Sequence, residues 1–162
     1  MTSPEATCPA WLTPVANALE REGNLGRFLV MFEIYRPDLV RAMAHGLGLR
    51  YVDFRADYMM PLGRDAGRLP LSRIEELIAE AEGEGPHRQG LVLHNVEALL
   101  ATREKEERHR WMTEFTASPA KVPVIVPLSV FATEAPASDS RVVAIDETSI
   151  PSEKLLFRLA GQ

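Results

Sequence analysis

The sequence predicts an α/β protein, a three-layer sandwich built on a mainly parallel five-stranded sheet. Short apolar runs, such as residues 28–32 and 91–93, contain no alternating polar residue, which is typical of strands covered on both faces. Stretches with apolar residues at helical spacing separate these runs, as in the segment after Pro37. Strands that alternate with helices in this way specify a parallel sheet between two layers of helices.

The length and composition indicate one globular domain that spans residues 1–162. The net charge is −5 and the only cysteine is Cys8, so we expect no general affinity for nucleic acid, no intrachain disulfide and no cysteine-based zinc site. The first residues lack the basic and apolar parts of a signal peptide, and no apolar run approaches the ~20 residues that span a bilayer. We therefore expect a cytoplasmic protein that contacts no membrane.

Proline, glycine and capping residues indicate where the helices and strands begin and end. Residues 1–10 form a loose lead-in, and Thr13 caps a first helix that stops at Gly23. Ser72 and Glu75 have the spacing of a capping box. The predicted strands are 28–32, 50–55, 90–94, 122–128 and 141–145, and the helices after the first are 37–47, one from Ser72, a charged one over 103–115 and a C-terminal one over 152–160.

Three stretches need separate interpretation. Residues 57–69 contain two glycines, two methionines and a proline, and we predict a loop there. The charged run 103–110 predicts a solvated helix face with pairs such as Glu104–Arg108 and Glu106–Arg110. Prolines at positions 123 and 127 must lie at the ends of the fourth strand or at a bulge, because proline lacks the N–H that a central strand needs.

Two segments carry a resemblance to a known family. Residues 39–54 (LVRAMAHGLGLRYVDF) resemble the segment that follows the phosphate loop, and residues 89–100 (QGLVLHNVEALL) resemble the Walker B strand, in P-loop NTPases of the AAA+/ASCE type. The likeness in element order covers roughly residues 12–147. The short length and the Asn-Val-Glu after the third strand also resemble the small BrxF-type P-loop proteins of BREX phage-defence systems.

The phosphate-loop position departs from the family pattern. A Walker A loop needs glycines, a lysine and a hydroxyl residue to cradle phosphates and Mg²⁺. This chain instead has Glu33, Ile34 and Tyr35 at the glycine positions and Arg36 about where the lysine would lie. Asp38 places a negative charge at the start of the following helix, where a phosphate would otherwise be attracted.

The Walker B position departs as well. The aspartate that holds Mg²⁺ and the glutamate that orients water are replaced by His94 and Asn95. Glu97 lies nearby but out of register, and Ser129 and Arg158 stand at roughly plausible sensor positions. If a nucleotide binds, the resemblance implies that its site comprises Arg36, Asp38, His94, Asn95, Glu97 and Ser129.

The double departure predicts a non-catalytic, P-loop-like accessory protein, a pseudo-ATPase without cofactor or metal. It would be a subunit of a larger assembly, such as one for phage defence or DNA processing. We expect it to bind a protein partner or to form an oligomer, and to contact nucleic acid only through other subunits. The residues expected to face that partner are Glu33, Tyr35 and Arg36. The alternative is that these residues form a connecting loop with no binding role.

Two alternatives remain open. The first is a divergent ATPase that uses ATP and Mg²⁺, with Arg36 in place of the lysine and Glu97 as the base. The second is a small α/β enzyme that uses Asp53, His94 and Ser129 at the strand ends. His94 itself is either a hydrogen-bonded structural histidine or a functional group.

Overall fold

A computed structural model describes residues 8–83, 89–136 and 138–150 of the chain. These residues form an α/β fold with one five-stranded sheet in the order β2-β3-β4-β1-β5, and every neighbouring pair is parallel. The α/β class and the parallel sheet are therefore as predicted. The elements are α1 (Thr13–Arg21), β1 (Gly26–Met31), α2 (Pro37–Leu47), β2 (Arg50–Asp53), α3 (Ser72–Glu82), β3 (Leu91–His94), α4 (Glu97–Leu100), α5 (Lys105–Ala117), β4 (Pro123–Leu128) and β5 (Val142–Ala144).

Strand β1 lies inside the sheet, between β4 and β5. Its side chains alternate between two hydrophobic cores: Phe28 and Val30 pack on one face, and Leu29 packs on the other. All three are fully buried. This arrangement explains why the strand has no polar position, since neither face of it meets water.

The helices form two layers. Residues of α1 and α2 share one core with the sheet, while residues of α3, α4 and α5 share the other. The chain therefore leaves β1 through α2 towards one face, and leaves β3 through α4 and α5 towards the opposite face. Open α/β sheets bind ligands at the carboxyl ends of their strands where the connections diverge in this way.

The segment predicted as a loop over 57–69 is helical instead. A π-helical turn covers Arg55–Met59 and 3-10 turns cover Met60–Arg68, with a kink at Gly63. The Asp53 carboxylate accepts a hydrogen bond from the Ala56 amide at 3.0 Å, which anchors the first of these turns. Glycine and proline are frequent in loops, but here they lie at the kink and near the start of a 3-10 turn, where both are tolerated.

The predicted capping box at Ser72 is wrong. No side chain caps α3, and Glu75 turns away to accept two hydrogen bonds from Arg27, at 2.7 and 2.8 Å. Thr13 likewise makes no capping bond, because α1 continues directly from a 3-10 turn over Ala10–Leu12. A buried arginine is a stronger partner for a carboxylate than a backbone amide, which accounts for the choice that Glu75 makes.

The charged helix makes different ion pairs from those predicted. Arg108 donates to both carboxylate oxygens of Glu134, at 2.9 and 2.8 Å, rather than pairing with Glu104. Among the described residues, the pair found at i,i+4 spacing in this run is Arg103–Glu107, at 3.3 Å. Glu134 lies beyond β4 in sequence, so the preference of Arg108 is set by the tertiary fold.

Of the two prolines of β4, only Pro123 lies at a strand end as predicted; Pro127 lies inside the strand and pairs with Val30 of β1. Pro123 is the first residue of the strand, and Pro127 lies beyond the last pair between β4 and β3, Val92–Ile125. Residues 1–7 of the predicted lead-in over residues 1–10 lie outside the described residues, as does the predicted C-terminal helix over 152–160, which includes Arg158. Within the described part, no helix is both long enough and apolar enough to cross a bilayer.

Candidate functional site

The loop between β1 and α2 occupies the position where the resemblance places a phosphate loop. It leads from Phe32 to Arg36, and α2 begins at Pro37. Arg36 is 1% exposed, and its Nε and Nη2 each lie 3.4 Å from a carboxylate oxygen of Asp38. The guanidinium is thus buried at the start of the helix and does not reach the surface, whereas Glu33 and Tyr35 of the same predicted set are exposed.

Only a very small cavity remains beneath this loop. Its volume is about 10 Å³, roughly the space that one water molecule needs. Its walls come from the β1–α2 loop, α2 and the ends of β3 and β4. They are Phe32, Tyr35, Arg36, Val40, His94, Glu97, Pro127, Leu128 and Ser129. A nucleotide phosphate does not fit in this space unless the loop moves.

Asp38 is negatively charged at the amino end of α2. Its partial burial raises the pKa of the carboxyl, but the Arg36 guanidinium and the backbone N–H groups of Asp38 and Leu39 outweigh that effect, so the pKa lies below its ordinary value. A carboxylate at a helix amino end is stabilised by the same dipole that attracts phosphate elsewhere. The anion site of this helix is therefore already occupied by the chain's own side chain.

His94 is a buried aromatic partner at the end of β3. It is 3% exposed, its Nδ1 lies 2.7 Å from the Tyr51 hydroxyl, and its ring stacks on Tyr35 with centroids 5.5 Å apart. Burial lowers the pKa of His94 to about 4, against a smaller opposing effect of Asp53. The imidazole is therefore neutral near pH 7, and one of its nitrogens is engaged by a tyrosine.

Asn95 joins three strand ends through its side-chain amide. The Tyr35 hydroxyl donates to Oδ1 at 3.0 Å, and Nδ2 donates to Asp53 Oδ1 at 3.0 Å. The backbone of Asn95 has φ +66°, a left-handed conformation that asparagine adopts more readily than most residues. Partial burial raises the pKa of Asp53, but bonds from Asn95 and the Ala56 amide outweigh it, and the pKa is lowered overall.

Glu97 holds the segment that follows β4. Its carboxylate accepts hydrogen bonds from the Ser129 amide at 2.9 Å and the Phe131 amide at 2.7 Å, and the Ser129 hydroxyl lies 3.3 Å away. Both carboxylate oxygens therefore have a backbone donor. Glu97 serves as a brace between α4 and this segment, and Ser129 is one of the groups that it braces.

A larger groove lies at the carboxyl ends of β1 and β5, beside the segment that follows β4. We call it the β1–β5 groove; its volume is about 630 Å³. Its floor is formed mainly by Met31, Phe32, Ala132, Ala135, Ala144 and Ile145, and its rim includes Glu33, Asp146 and Glu147. The Glu33 amide donates to the Glu147 carboxylate at 2.6 Å, which ties the β1–α2 loop to the segment after β5.

The predicted site residues gather at one edge of the sheet. Six of them (Arg36, Asp38, His94, Asn95, Glu97 and Ser129) lie at or directly after the carboxyl ends of β1, β3 and β4. They do not form one reactive group: Arg36 pairs with Asp38 and Glu97 with Ser129, while His94 and Asn95 bond to residues outside the set. In particular, no hydrogen bond between described residues joins Asp53, His94 and Ser129 into a catalytic set, as a small α/β enzyme would require.

Sequence inspection missed Tyr51 as the partner of His94. Strands β2 and β3 pair with Asp53 opposite His94. Tyr51 is two residues before Asp53, so it is the diagonal neighbour of His94 on the same face of the sheet. No local signal marks this contact before the register is known. Within the described ranges, no three His, Cys, Asp or Glu side chains converge as a metal site would.

Comparison with protein-family models, with curated proteins and with solved structures gave no match for this chain.

Proposed function

We propose that this protein is a non-catalytic, P-loop-like scaffold that works as an accessory subunit by binding other proteins. The observation that carries the proposal is the filled position beneath the β1–α2 loop. There the buried Arg36 and the other lining side chains leave a cavity of about 10 Å³. A triphosphate needs a preformed cradle of backbone N–H groups, and none is open at this loop.

The charges at this position also favour exclusion of nucleotide. Asp38 keeps its carboxylate at the amino end of α2, with a pKa below the ordinary range. An incoming phosphate would meet that negative charge and would have to draw Arg36 away from Asp38. The Asp38 side chain is 53% exposed, so water screens part of this repulsion.

Glu97, the base of the alternative ATPase, and His94, a residue of the alternative α/β enzyme, are both engaged in other contacts. Glu97 accepts backbone hydrogen bonds from Ser129 and Phe131, so it is not available to orient water in this conformation. His94 has a tyrosine bond and a pKa of about 4. These contacts support binding rather than catalysis.

The surface around the filled site supports a protein partner. Ile34 and Tyr35 are about half exposed and Val130 is 72% exposed. Exposed apolar side chains next to an apolar groove are typical of protein interaction sites. The β1–α2 loop is part of both features, so the same segment that closes the phosphate position borders the β1–β5 groove.

Isothermal titration of the purified chain with ATP and Mg²⁺, combined with a phosphate-release assay, tests the proposal. We expect no binding at nucleotide concentrations up to about 1 mM and no phosphate release above buffer. Asp38→Asn is the matched variant, because it removes the repulsive charge without opening the cavity. Micromolar binding with turnover that is lost in Arg36→Ala, while Arg41→Ala retains it, would establish the divergent ATPase instead.

A further inference from the structure

The β1–β5 groove has a size and lining that fit part of another polypeptide. A volume of about 630 Å³ is within the range of sites that enclose several side chains. The floor is apolar, and Ile34 and Val130, which follow the lining residues Glu33 and Ser129 in sequence, are 51% and 72% exposed. Burial of apolar surface is the main driving force for association, so the floor supplies affinity.

The charge of the groove has one sign. Every ionisable side chain among its lining residues is acidic: Glu33, Asp146 and Glu147. Asp146 stays ionised, because hydrogen bonds from Thr148 and Ser149 hold its pKa below the ordinary value. A ligand that reaches the floor must pass three carboxylates, which attract cations and repel phosphate, nucleic acid and acidic peptides.

We propose that the β1–β5 groove binds a short segment of a partner protein in which apolar side chains are flanked by lysine or arginine. The apolar residues pack on Met31, Ala132 and Ile145, and the flanking cations lie against Glu33 and Glu147. This inference names the partner chemistry for the interaction role proposed above and rests on that role. Both groove walls are held by the Glu33–Glu147 hydrogen bond, so the site is largely formed before the partner arrives.

Fluorescence anisotropy with labelled peptides tests the proposal on the full chain. The probe is a peptide with a Leu-Leu-Phe-Leu centre flanked on each side by two lysines. The first comparison peptide has the same centre flanked by glutamates, and the second has the lysines around a Ser-Gly centre. We expect saturable binding of the first probe alone, weakened by added salt because the flanking pairs lie at the surface.

Two variants, one with two substitutions and one with a single substitution, separate the contributions of charge and shape. The double variant Glu33→Gln, Glu147→Gln removes two rim charges. The side-chain oxygen of the glutamine at position 147 can still accept the hydrogen bond from the amide of residue 33. We expect the dissociation constant of the lysine-flanked probe to rise about fivefold at low salt. Glu20→Gln on α1 is the matched control and should leave it unchanged. Ala144→Trp fills the groove from an exposed position and should abolish binding, while Ala101→Trp, equally exposed but remote, should not.

Equal binding of the lysine- and glutamate-flanked peptides would overturn the charge argument. Binding that survives Ala144→Trp would overturn the location, provided that the variant melts like the parent chain. Concentration-dependent dimerisation that Ala144→Trp abolishes would assign the groove to a second copy of the chain and would overturn the hetero-partner. ATP turnover in the titration described above would refute the non-catalytic role, whereas loss of peptide discrimination alone would refute only this inference.

Discussion

The hydroxyl of Tyr51 on β2 lies 2.7 Å from Nδ1 of His94 at the end of β3. The same imidazole stacks on Tyr35 and is 3% exposed, so it is enclosed by two tyrosines from different elements. Burial lowers its pKa to about 4, well below the value of 6.5 for an unfolded chain. This difference makes His94 a source of pH-dependent stability.

We predict that His94→Phe removes part of the acid sensitivity of folding. Between about pH 6.5 and about pH 4 the unfolded chain binds a proton that folded His94 does not, so the stability from neutral His94 is complete above pH 6.5 and is lost as the pH falls towards 4. The full loss is up to about 3 kcal/mol. Urea unfolding at about pH 7 and about pH 4.5 should show a smaller difference for the variant than for the parent chain.

The matched control for this experiment is His45→Gln, because His45 is exposed on α2. We expect it to retain the pH dependence of the parent chain. Asp38 also loses stabilising charge in acid, but it is present in both variants and cancels in the comparison. An unchanged pH dependence in His94→Phe would show that folding does not lower the pKa of His94.

A second prediction concerns Arg27, whose guanidinium lies 5.6 Å from the Phe115 ring centroid and is bonded to Glu75. Glu75→Ala leaves a buried cation without its carboxylate, and we expect a cost of about 2 kcal/mol, since Glu75 is itself partly exposed. Adding Arg27→Met should restore most of that stability. The surface control Glu76→Ala, whose partner is Arg73, should cost no more than about 0.5 kcal/mol.

Chemical unfolding of the two single variants and the double variant measures this coupling. A double variant that is destabilised by the sum of the two single changes would mean that Arg27 and Glu75 do not interact in solution.

A third prediction concerns the brace that Glu97 forms after β4. Glu97→Ala removes the acceptor of the Ser129 and Phe131 amides, and we expect faster hydrogen exchange at both amides and a cost of about 2 kcal/mol. Glu97→Gln retains one good acceptor oxygen and should protect one of the two amides. Unchanged exchange at Ser129 and Phe131 in the alanine variant would show that Glu97 does not hold these two amides.

Two glycines provide a pair of opposite predictions. A Cβ at Gly90 would lie 2.6 Å from the Pro123 carbonyl oxygen and 2.7 Å from Leu49, so Gly90→Ala must push β3 and β4 apart and should cost about 2 kcal/mol or more. A Cβ at Gly46 in α2 would meet only Leu12, at 3.4 Å. Gly46→Ala should therefore stabilise the helix by about 0.5 kcal/mol. Thermal melting of both variants checks the two signs, and a stabilised Gly90→Ala would refute the close packing of the strands.

The sequence predicted the fold class because hydrophobic periodicity is a local property. Uninterrupted apolar strands indicated a sheet covered on both faces, and the helix starts at Pro37 and Ser72 agree with the structure. Residues 57–69 were misassigned because their glycines and proline are statistically typical of loops. Their helical turns depend on partners distant in sequence, such as Arg103, which donates to the Gly67 carbonyl oxygen at 3.0 Å.

The candidate site was predicted only as a set of positions. Because parallel strands end at the same edge, residues that follow β1, β3 and β4 had to lie near one another. The partners of those residues were not predictable, since the choice of Glu75 for Arg27 and of Tyr51 for His94 depends on strand order and register. The likeness to P-loop ATPases remains a prediction that nucleotide titration can check.

By itself, the sequence determined that the loop after the first strand lacks glycine and lysine and that Asp38 lies in the first turn of the next helix. Those identities already disfavour a phosphate site, because the conformations and charges it needs are intrinsic to residue type. Only the tertiary structure decided that Arg36 is buried at the start of the helix, and that an acid-rimmed apolar groove lies beside it. Burial and groove shape arise from the packing of distant segments, which no local pattern encodes.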